Sequence, residues 1–262
     1  MTIIACSNLK GGEGKTTLAW HLCHAAIDAG IPTLAVDLDP QANLSTALRN
    51  AERLPLTAGA LFDPHFTRVK QQINNAGLHL IAADPALSAV AELREARKDL
   101  VRRASRAIRA IGTDYALVVV DTPTNAPLCY LTGLAAADGV VSPVQMDAFG
   151  LKGAQDMLAA VKTVKAHYNP RLRQLGFVVN RFNSRARSHA EMLAAAQAAG
   201  LPLLKHVLGQ RQAVQDSLSM GVPVWRGRRA DRKAAAEFRG ACAEILAAGG
   251  ITIFAAKNRR AA

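Results

Sequence analysis

The sequence predicts an α/β fold, a mostly parallel sheet with helices on both faces. Short runs rich in Val, Ile and Leu recur at residues 2–7, 33–37, 78–82, 116–121, 139–143, 176–180 and 203–208. Segments with helical apolar spacing lie between most of them, at 15–29, 86–111, 151–167 and 189–199. The runs are apolar throughout rather than alternating, as strands covered on both faces require.

The chain has 262 residues, half of them hydrophobic, enough for one large domain or two small ones. With no internal repeat and no long linker, one domain over 1–250 is the economical expectation. Residues 50–75 are the least regular stretch and read as a loop-rich excursion. Residues 251–262 read as a flexible basic tail. No apolar run approaches the roughly 18–20 uncharged residues of a membrane span. The N-terminal Met1-Thr2-Ile3-Ile4-Ala5 lacks the basic region and cleavage site of a secretory leader, so a cytoplasmic protein is expected. Cys6, Cys23, Cys129 and Cys242 lie far apart without a CxxC pair. They read as buried thiols, not a zinc site or disulfide framework. Thirty-two Lys and Arg against 20 Asp and Glu leave a formal +12. That excess points to a polyanionic partner, nucleic acid or anionic lipid.

The first run leads into Leu9-Lys10-Gly11-Gly12-Glu13-Gly14-Lys15-Thr16-Thr17, and a helix follows. Glycines let the backbone curl so that successive N–H groups face inward, and the helix N-terminus adds positive potential. Gly11, Gly12, Glu13, Gly14, Lys15, Thr16 and Thr17 would then cradle phosphates. Lys15 would neutralise the β- and γ-phosphates, and the Thr16 hydroxyl would ligate Mg²⁺. A plain glycine-rich turn would not need the Lys-Thr pair behind it.

The ordinary phosphate-loop pattern has glycine where Leu9 stands. The run K-G-G-x-G-K-[ST]-[ST], with its additional Lys10, resembles the deviant Walker A family, which holds the ParA partition ATPases, MinD and their relatives. The resemblance implies a P-loop NTPase architecture, ATP and Mg²⁺ as cofactors, and slow ATP hydrolysis stimulated by a partner such as a ParB-like adaptor. It also implies an ATP-dependent homodimer in which Lys10 reaches the other subunit's nucleotide. A cation at the partner's phosphates stabilises the dimer only while triphosphate is bound, so nucleotide state becomes oligomeric state. Glu13 departs from the family, whose members usually carry a small apolar residue there.

The second run ends Asp37-Leu38-Asp39-Pro40-Gln41-Ala42-Asn43. Alternation puts Asp37 and Asp39 on one side, at the carboxyl edge beside the phosphate loop. D-x-D-P-Q-x-N resembles the family's switch I signature, which implies that Asp39 orients the attacking water and Asp37 acts near the Mg²⁺ shell. The other reading is a capped turn before a helix at 44–50. The run at 116–121 delivers Asp121 to the same edge, as a Walker B carboxylate holding Mg²⁺. Its sequel Asp121-Thr122-Pro123-Thr124 departs from the usual D-T-P-P in the last place.

Residues 137–147 resemble the family's A-D-x-x-x-x-P-V segment, and Leu151-Lys152-Gly153 opens the next helix as in relatives. Val178-Val179-Asn180-Arg181 resembles the strand end whose Asn reads adenine, with a turn-forming Asn as the alternative. Residues 213–224 resemble the late helix and G-x-P-V turn, so the likeness spans roughly 2–225.

Two branches of the family fit the charge. A DNA-binding partition ATPase, nucleoid-associated, would contact phosphates through Arg181, Arg185 and Arg187, and through a second cluster with Arg226, Arg228 and Arg229. Without a helix-turn-helix, such binding would be non-specific. The basic stripe Arg94, Lys98, Arg102, Arg106 and Arg109 is interleaved with Glu92, Glu95 and Asp99 and reads as a solvated face. The alternative is a MinD-like membrane-switched spatial regulator. The tail 251–260 makes a poor amphipathic helix, so no stable membrane association is expected. A nitrogenase-reductase-like redox role would need a second cysteine to accompany Cys129.

Overall fold

A computed structural model describes residues 1–67, 77–92, 97–147, 149–226 and 231–252. Its centre is the predicted parallel sheet. The strands are β1 (Thr2–Cys6), β2 (Thr33–Asp37), β3 (Glu52–Thr57), β4 (Leu78–Ala82), β5 (Leu117–Asp121), β6 (Gly139–Val144) and β7 (Arg173–Val179). They lie in the order β3-β4-β2-β5-β1-β6-β7, every pair parallel. All residues of β2, β5 and β6 are buried, which their unbroken apolar runs anticipate.

Alternation along each strand divides the core between the two faces. Ile3 and Ala5 of β1 join one cluster, Ile4 and Cys6 the other. The first face is covered by α3 (Ala86–Glu92), α4 (Arg97–Gly112), α5 (Pro127–Ala136), α6 (Gly150–His167) and α7 (Arg187–Ala198). The second is covered by α1 (Lys15–Asp28), α2 (Asn43–Ala47), α8 (Gln212–Met220) and α9 (Arg232–Ala248). Phe177 and Phe238, both essentially inaccessible, fill opposite faces. Truncating either to Ala costs about 3–5 kcal/mol.

Local signals set the helix ends. Pro127 opens α5 at its first turn, where the missing N–H costs nothing. The Asp231 carboxylate accepts from the N–H groups of Lys233 and Ala234 and starts α9. Gly221, at φ 69°, closes α8 in the left-handed conformation.

The structure corrects four expectations. Residues 203–208 are not a strand: beside β7 they make one isolated bridge, Phe177–Leu203, and the Leu204 and Leu208 N–H groups donate to the Phe177 and Val179 carbonyls at 2.8 Å. Pro202 has no N–H to offer, and the N–H groups of Lys205 and His206 turn away to the Glu244 carboxylate on α9. The irregular stretch at 50–75 instead supplies edge strand β3, hidden by its Pro55 and its shifted register between Arg53 and Thr57. β7 begins at Arg173, its polar start Arg173-Gln174 concealing three strand residues. The helix expected over 86–111 is two helices, and residues 93–96 between them lie outside the described set. Arg94, Glu95, Arg228, Arg229 and residues 253–262 of the expected tail also lie outside it. Among the described residues no helix is long and apolar enough to cross a membrane.

Candidate nucleotide site

The carboxyl ends of β1, β2, β5, β6 and β7 converge on the loop between β1 and α1. Gly12 and Gly14 hold φ of 77° and 97°, a region where a side chain is strained. At Gly14 a Cβ would also collide with the Asn180 amide. Among the described residues none of the backbone N–H groups from Gly11 to Thr17 has an acceptor. Seven unpaired donors at a helix N-terminus form a nest for an anion.

Three side chains tie the loop to neighbouring strands. Asn8 is buried, donates from Nδ2 to the Pro143 carbonyl at 2.7 Å, and accepts from the Lys10 N–H at 3.0 Å. Asn180 donates from Nδ2 to the Glu13 carbonyl at 2.7 Å. The Glu13 carboxylate, 1% exposed, accepts from the Gln145 N–H through Oε2 at 2.8 Å. Its Oε1 lies 2.9 Å from Lys10 Nζ as an ion pair, off the line of a hydrogen bond. Lys10 Nζ also donates to Asp147 Oδ2 at 2.9 Å. Burial alone would lower the Lys10 ammonium, but Glu13 and Asp147 outweigh it and raise the pKa.

Lys15 is nearly buried, its Nζ donating to Thr124 Oγ1 at 2.7 Å. Burial pulls its pKa below the ordinary lysine value, against the opposing pull of Asp121, Asp39 and Glu13. The Thr16 hydroxyl donates to Asp121 Oδ2 at 2.6 Å, while Asp121 Oδ1 is buried without a partner. Burial and then the neighbouring Asp37 push Asp121 up to about 8. Among the described residues no group of three His, Cys, Asp or Glu is placed to hold a metal. One orphaned carboxylate oxygen beside one hydroxyl instead fits a hard cation whose remaining ligands are phosphate and water. The residues present therefore fit Mg²⁺.

Asp37 is fully enclosed, and its oxygens are occupied by the N–H of Asp39 at 3.1 Å and the N–H and hydroxyl of Ser45 at 2.8 and 2.7 Å. These bonds tie the 38–45 segment to the sheet. Asp39 stands on the wall of a cleft of about 830 Å³ with Gly12, Lys15, Thr16, Thr124 and Arg181. Arg181, at φ 51°, is exposed on the cleft wall. A second cavity of about 340 Å³ adjoins it, lined by Gly14, Thr17, Asn180, Arg181, Gln210 and Gln215.

The other expected DNA contacts scatter. Arg187 pairs with Glu191 at 2.7 Å, four residues along α7. Arg226 pairs with Asp28. Arg185 is exposed, and among the described residues only its N–H is engaged, by Asn183. Sequence reading missed Asn8, Thr124, Gln145 and Asp147, and only the Thr124 departure from D-T-P-P pointed to one of them. Behind the loop, His21 Nδ1 lies 2.8 Å from the Thr17 carbonyl and its Nε2 lies 3.5 Å from the Val224 N–H. Burial pushes His21 down to about 3, and burial and Arg226 push His24 down to about 4. All four cysteines are free and buried.

A family profile described as an AAA domain matches residues 1–174. The chromosome-partitioning ATPase Soj of Thermus thermophilus is 39% identical over 186 residues, 70% of each chain. The chromosome partitioning protein ParA of Caulobacter vibrioides is 32% identical over 232 residues, 86% of each. Protein IncC of Escherichia coli is 31% identical over 235 residues, 88% of this chain but 64% of its own length. The chain thus spans less than two thirds of that relative. Among solved structures, a cobyrinic acid a,c-diamide synthase from Mycobacterium smegmatis with bound ATP analog and magnesium superimposes with a TM-score of 0.73. It is 26% identical, with 94% of each chain covered. MinD from Pyrococcus horikoshii with Mg-ADP gives 0.72 at 21% identity, covering 93% of this chain and 95% of its own, and shows the shared fold.

Proposed function

Because this chain belongs to the ParA-like family of partition ATPases, we propose that it binds MgATP, hydrolyses it slowly, and cycles between monomer and ATP-bound homodimer to partition DNA or position another cargo. The observation that carries the nucleotide reading is the row of unpaired N–H groups from Gly11 to Thr17, with Lys15 beside it. These donors hold phosphate oxygens without reorganising, and Lys15 would exchange the Thr124 hydroxyl for phosphate. Asp121 Oδ1 and the Thr16 hydroxyl would hold Mg²⁺, with Asp37 one shell behind. When bound, the metal supplies positive charge at the β- and γ-phosphate oxygens. Asp39 accepts from the Gln41 N–H through Oδ1, which leaves Oδ2 to orient the attacking water.

Dimerisation through the cleft face draws support from Lys10 and from two exposed apolar side chains beside it, Leu9 (38% exposed) and Phe149 (71%). The Phe149 ring centroid lies 6.0 Å from Lys10 Nζ. DNA as the partner draws support from the net charge of +12 and from the partition roles of Soj and ParA. A ParB-like or other adaptor would stimulate hydrolysis, and the protein would work in the cytoplasm on the nucleoid as a single ATPase unit over 1–250.

Calorimetry with MgATP tests the core of this reading. Wild type binds, and Lys15→Ala binds at least about tenfold more weakly. Equal affinity would remove the phosphate-loop assignment.

A further inference from the structure

Residues 157–190 contain no Asp or Glu and seven Lys or Arg. Four of these, Lys162, Lys165, Arg171 and Arg173, gather at the end of α6 and the turn into β7, all exposed. They lie at the amino edge of the parallel sheet, the end opposite the nucleotide cleft. None of the four side chains makes an ion pair or hydrogen bond among the described residues. Some cations elsewhere are neutralised, Arg109 by Asp138 at 2.7 Å and Arg211 by Glu237 at 2.8 Å, whereas the Arg185, Lys98 and Arg102 side chains also lack a partner among the described residues.

The turn that presents them is rigid. Asn169 is buried and donates from Nδ2 to the carbonyls of Ala137 at 2.6 Å and Leu134 at 3.4 Å. Its Oδ1 accepts from the Arg171 N–H at 3.2 Å. Leu172 is fully buried between the two arginines, and the Arg173 N–H donates to the Asp138 carbonyl at 3.1 Å. Asp138, a carboxylate at this edge, is already held by Arg109 and by the Ile3 N–H.

The α6 dipole favours a cation in its last turn, by about 0.3–1 kcal/mol. That accounts for Lys165 but not for Arg171 and Arg173 beyond the helix. Clustered like charges repel one another unless a polyanion answers them. We infer that Lys162, Lys165, Arg171 and Arg173 form the surface that contacts duplex DNA phosphates. This rests on the partition reading above and relocates the DNA surface from Arg181, Arg187 and Arg226. The surface binds without competing for the cleft, and it reads charge rather than sequence.

The test uses the full chain and a random-sequence duplex, followed by fluorescence anisotropy across a salt series with ATP, with ADP and without nucleotide. A variant with all four residues changed to Ala is compared with wild type and with Lys98→Ala/Arg102→Ala on α4. The quadruple variant is expected to bind at least about tenfold more weakly and to flatten the log–log salt slope by about 0.9 for each phosphate no longer neutralised. ATP hydrolysis should stay at the wild-type rate, and the α4 variant should bind as wild type does. DNA binding by wild type and quadruple variant alike overturns the surface while leaving the partition reading intact. Absence of DNA binding by wild type in every nucleotide state overturns both. Loss of binding to phosphatidylglycerol vesicles, with DNA unbound throughout, reassigns the surface to a membrane and overturns the inference.

Discussion

The ammonium of Lys10 lies 2.9 Å from Glu13 Oε1, three residues further along the same loop, and 2.9 Å from Asp147 Oδ2 across the cleft mouth. The lysine that the proposed dimer would send to a partner subunit is thus engaged within its own. To leave, it must give up a half-exposed pair with Asp147, worth about 0.5–1 kcal/mol, and leave the buried Glu13 carboxylate without its cation.

Glu13→Gln should therefore strengthen the ATP-bound dimer. The amide oxygen still accepts from the Gln145 N–H, but the competing charge is gone. With one released lysine per subunit, the dimer constant should rise about tenfold. Sedimentation equilibrium with ATP and Asp39→Ala to slow turnover reads this out, and an unchanged constant rejects the latch. Lys10→Ala should keep nucleotide and remain monomeric.

Asn180 offers a sharper choice between two roles. Its amide supports the Glu13 carbonyl, so Asn180→Ala should weaken ATP and inorganic triphosphate by the same factor. Selective loss of ATP, with triphosphate unaffected, would instead show that Asn180 reads the base. Gly14→Ala meets both a φ of 97° and the Asn180 amide. It should destabilise the fold by about 1–3 kcal/mol, measured by denaturant titration.

Asp121→Asn separates stability from metal binding. The carboxyl is buried with one oxygen unpaired, so replacing it should leave the metal-free thermal midpoint equal or higher. Added Mg²⁺ with nucleotide should raise the wild-type midpoint and not that of the variant. A matching metal-dependent rise in the variant would remove Asp121 from the site.

The buried histidines predict acid sensitivity. His21 and His24 sit at about 3 and 4 in the fold against an ordinary 6.5 or so unfolded. The unfolded chain therefore binds more protons between those values, and stability falls as pH drops through that window. Asp121 and Asp37, raised in the fold, act in the opposite sense over the overlapping range. The histidine effect is read as a difference between proteins. His21→Gln should remove about 2 kcal/mol of the change between roughly pH 6.5 and 4.5. Parallel stability curves for the two proteins would contradict the buried neutral imidazole.

The parallel sheet was legible because its central strands are apolar on both faces, and the phosphate loop because glycines precede Lys15 and Thr16 directly after such a strand. The edges were not. Pro55 disguises β3, and an apolar run at 203–208 looks like a strand although its central N–H groups, of Lys205 and His206, serve Glu244. Site residues next to the motif were readable, since chain connectivity places them. Gln145 and Asp147 arrive through the fold from another strand, and nothing local in sequence marks them, while Thr124 was marked only by its departure from D-T-P-P. Arginines were the least readable of all, because exposure and pairing decide their role. Arg226 meets Asp28, a carboxylate that only the fold brings near, whereas Glu191 already stands at helical i,i+4 spacing from Arg187.

The bracing of the phosphate loop by Asn8, Glu13 and Asn180 has a kinetic consequence. A loop that must order around its ligand binds in two phases, an encounter followed by a slower closure. Here the loop is tied to β6 and β7 through Pro143, Gln145 and Asn180 before any anion arrives, so its ordering entropy is spent during folding. Nucleotide should enter in a single exponential whose rate rises linearly with concentration and shows no plateau. Stopped-flow fluorescence of a labelled ATP analogue reads this directly, and the residence time then falls to the phosphate contacts alone.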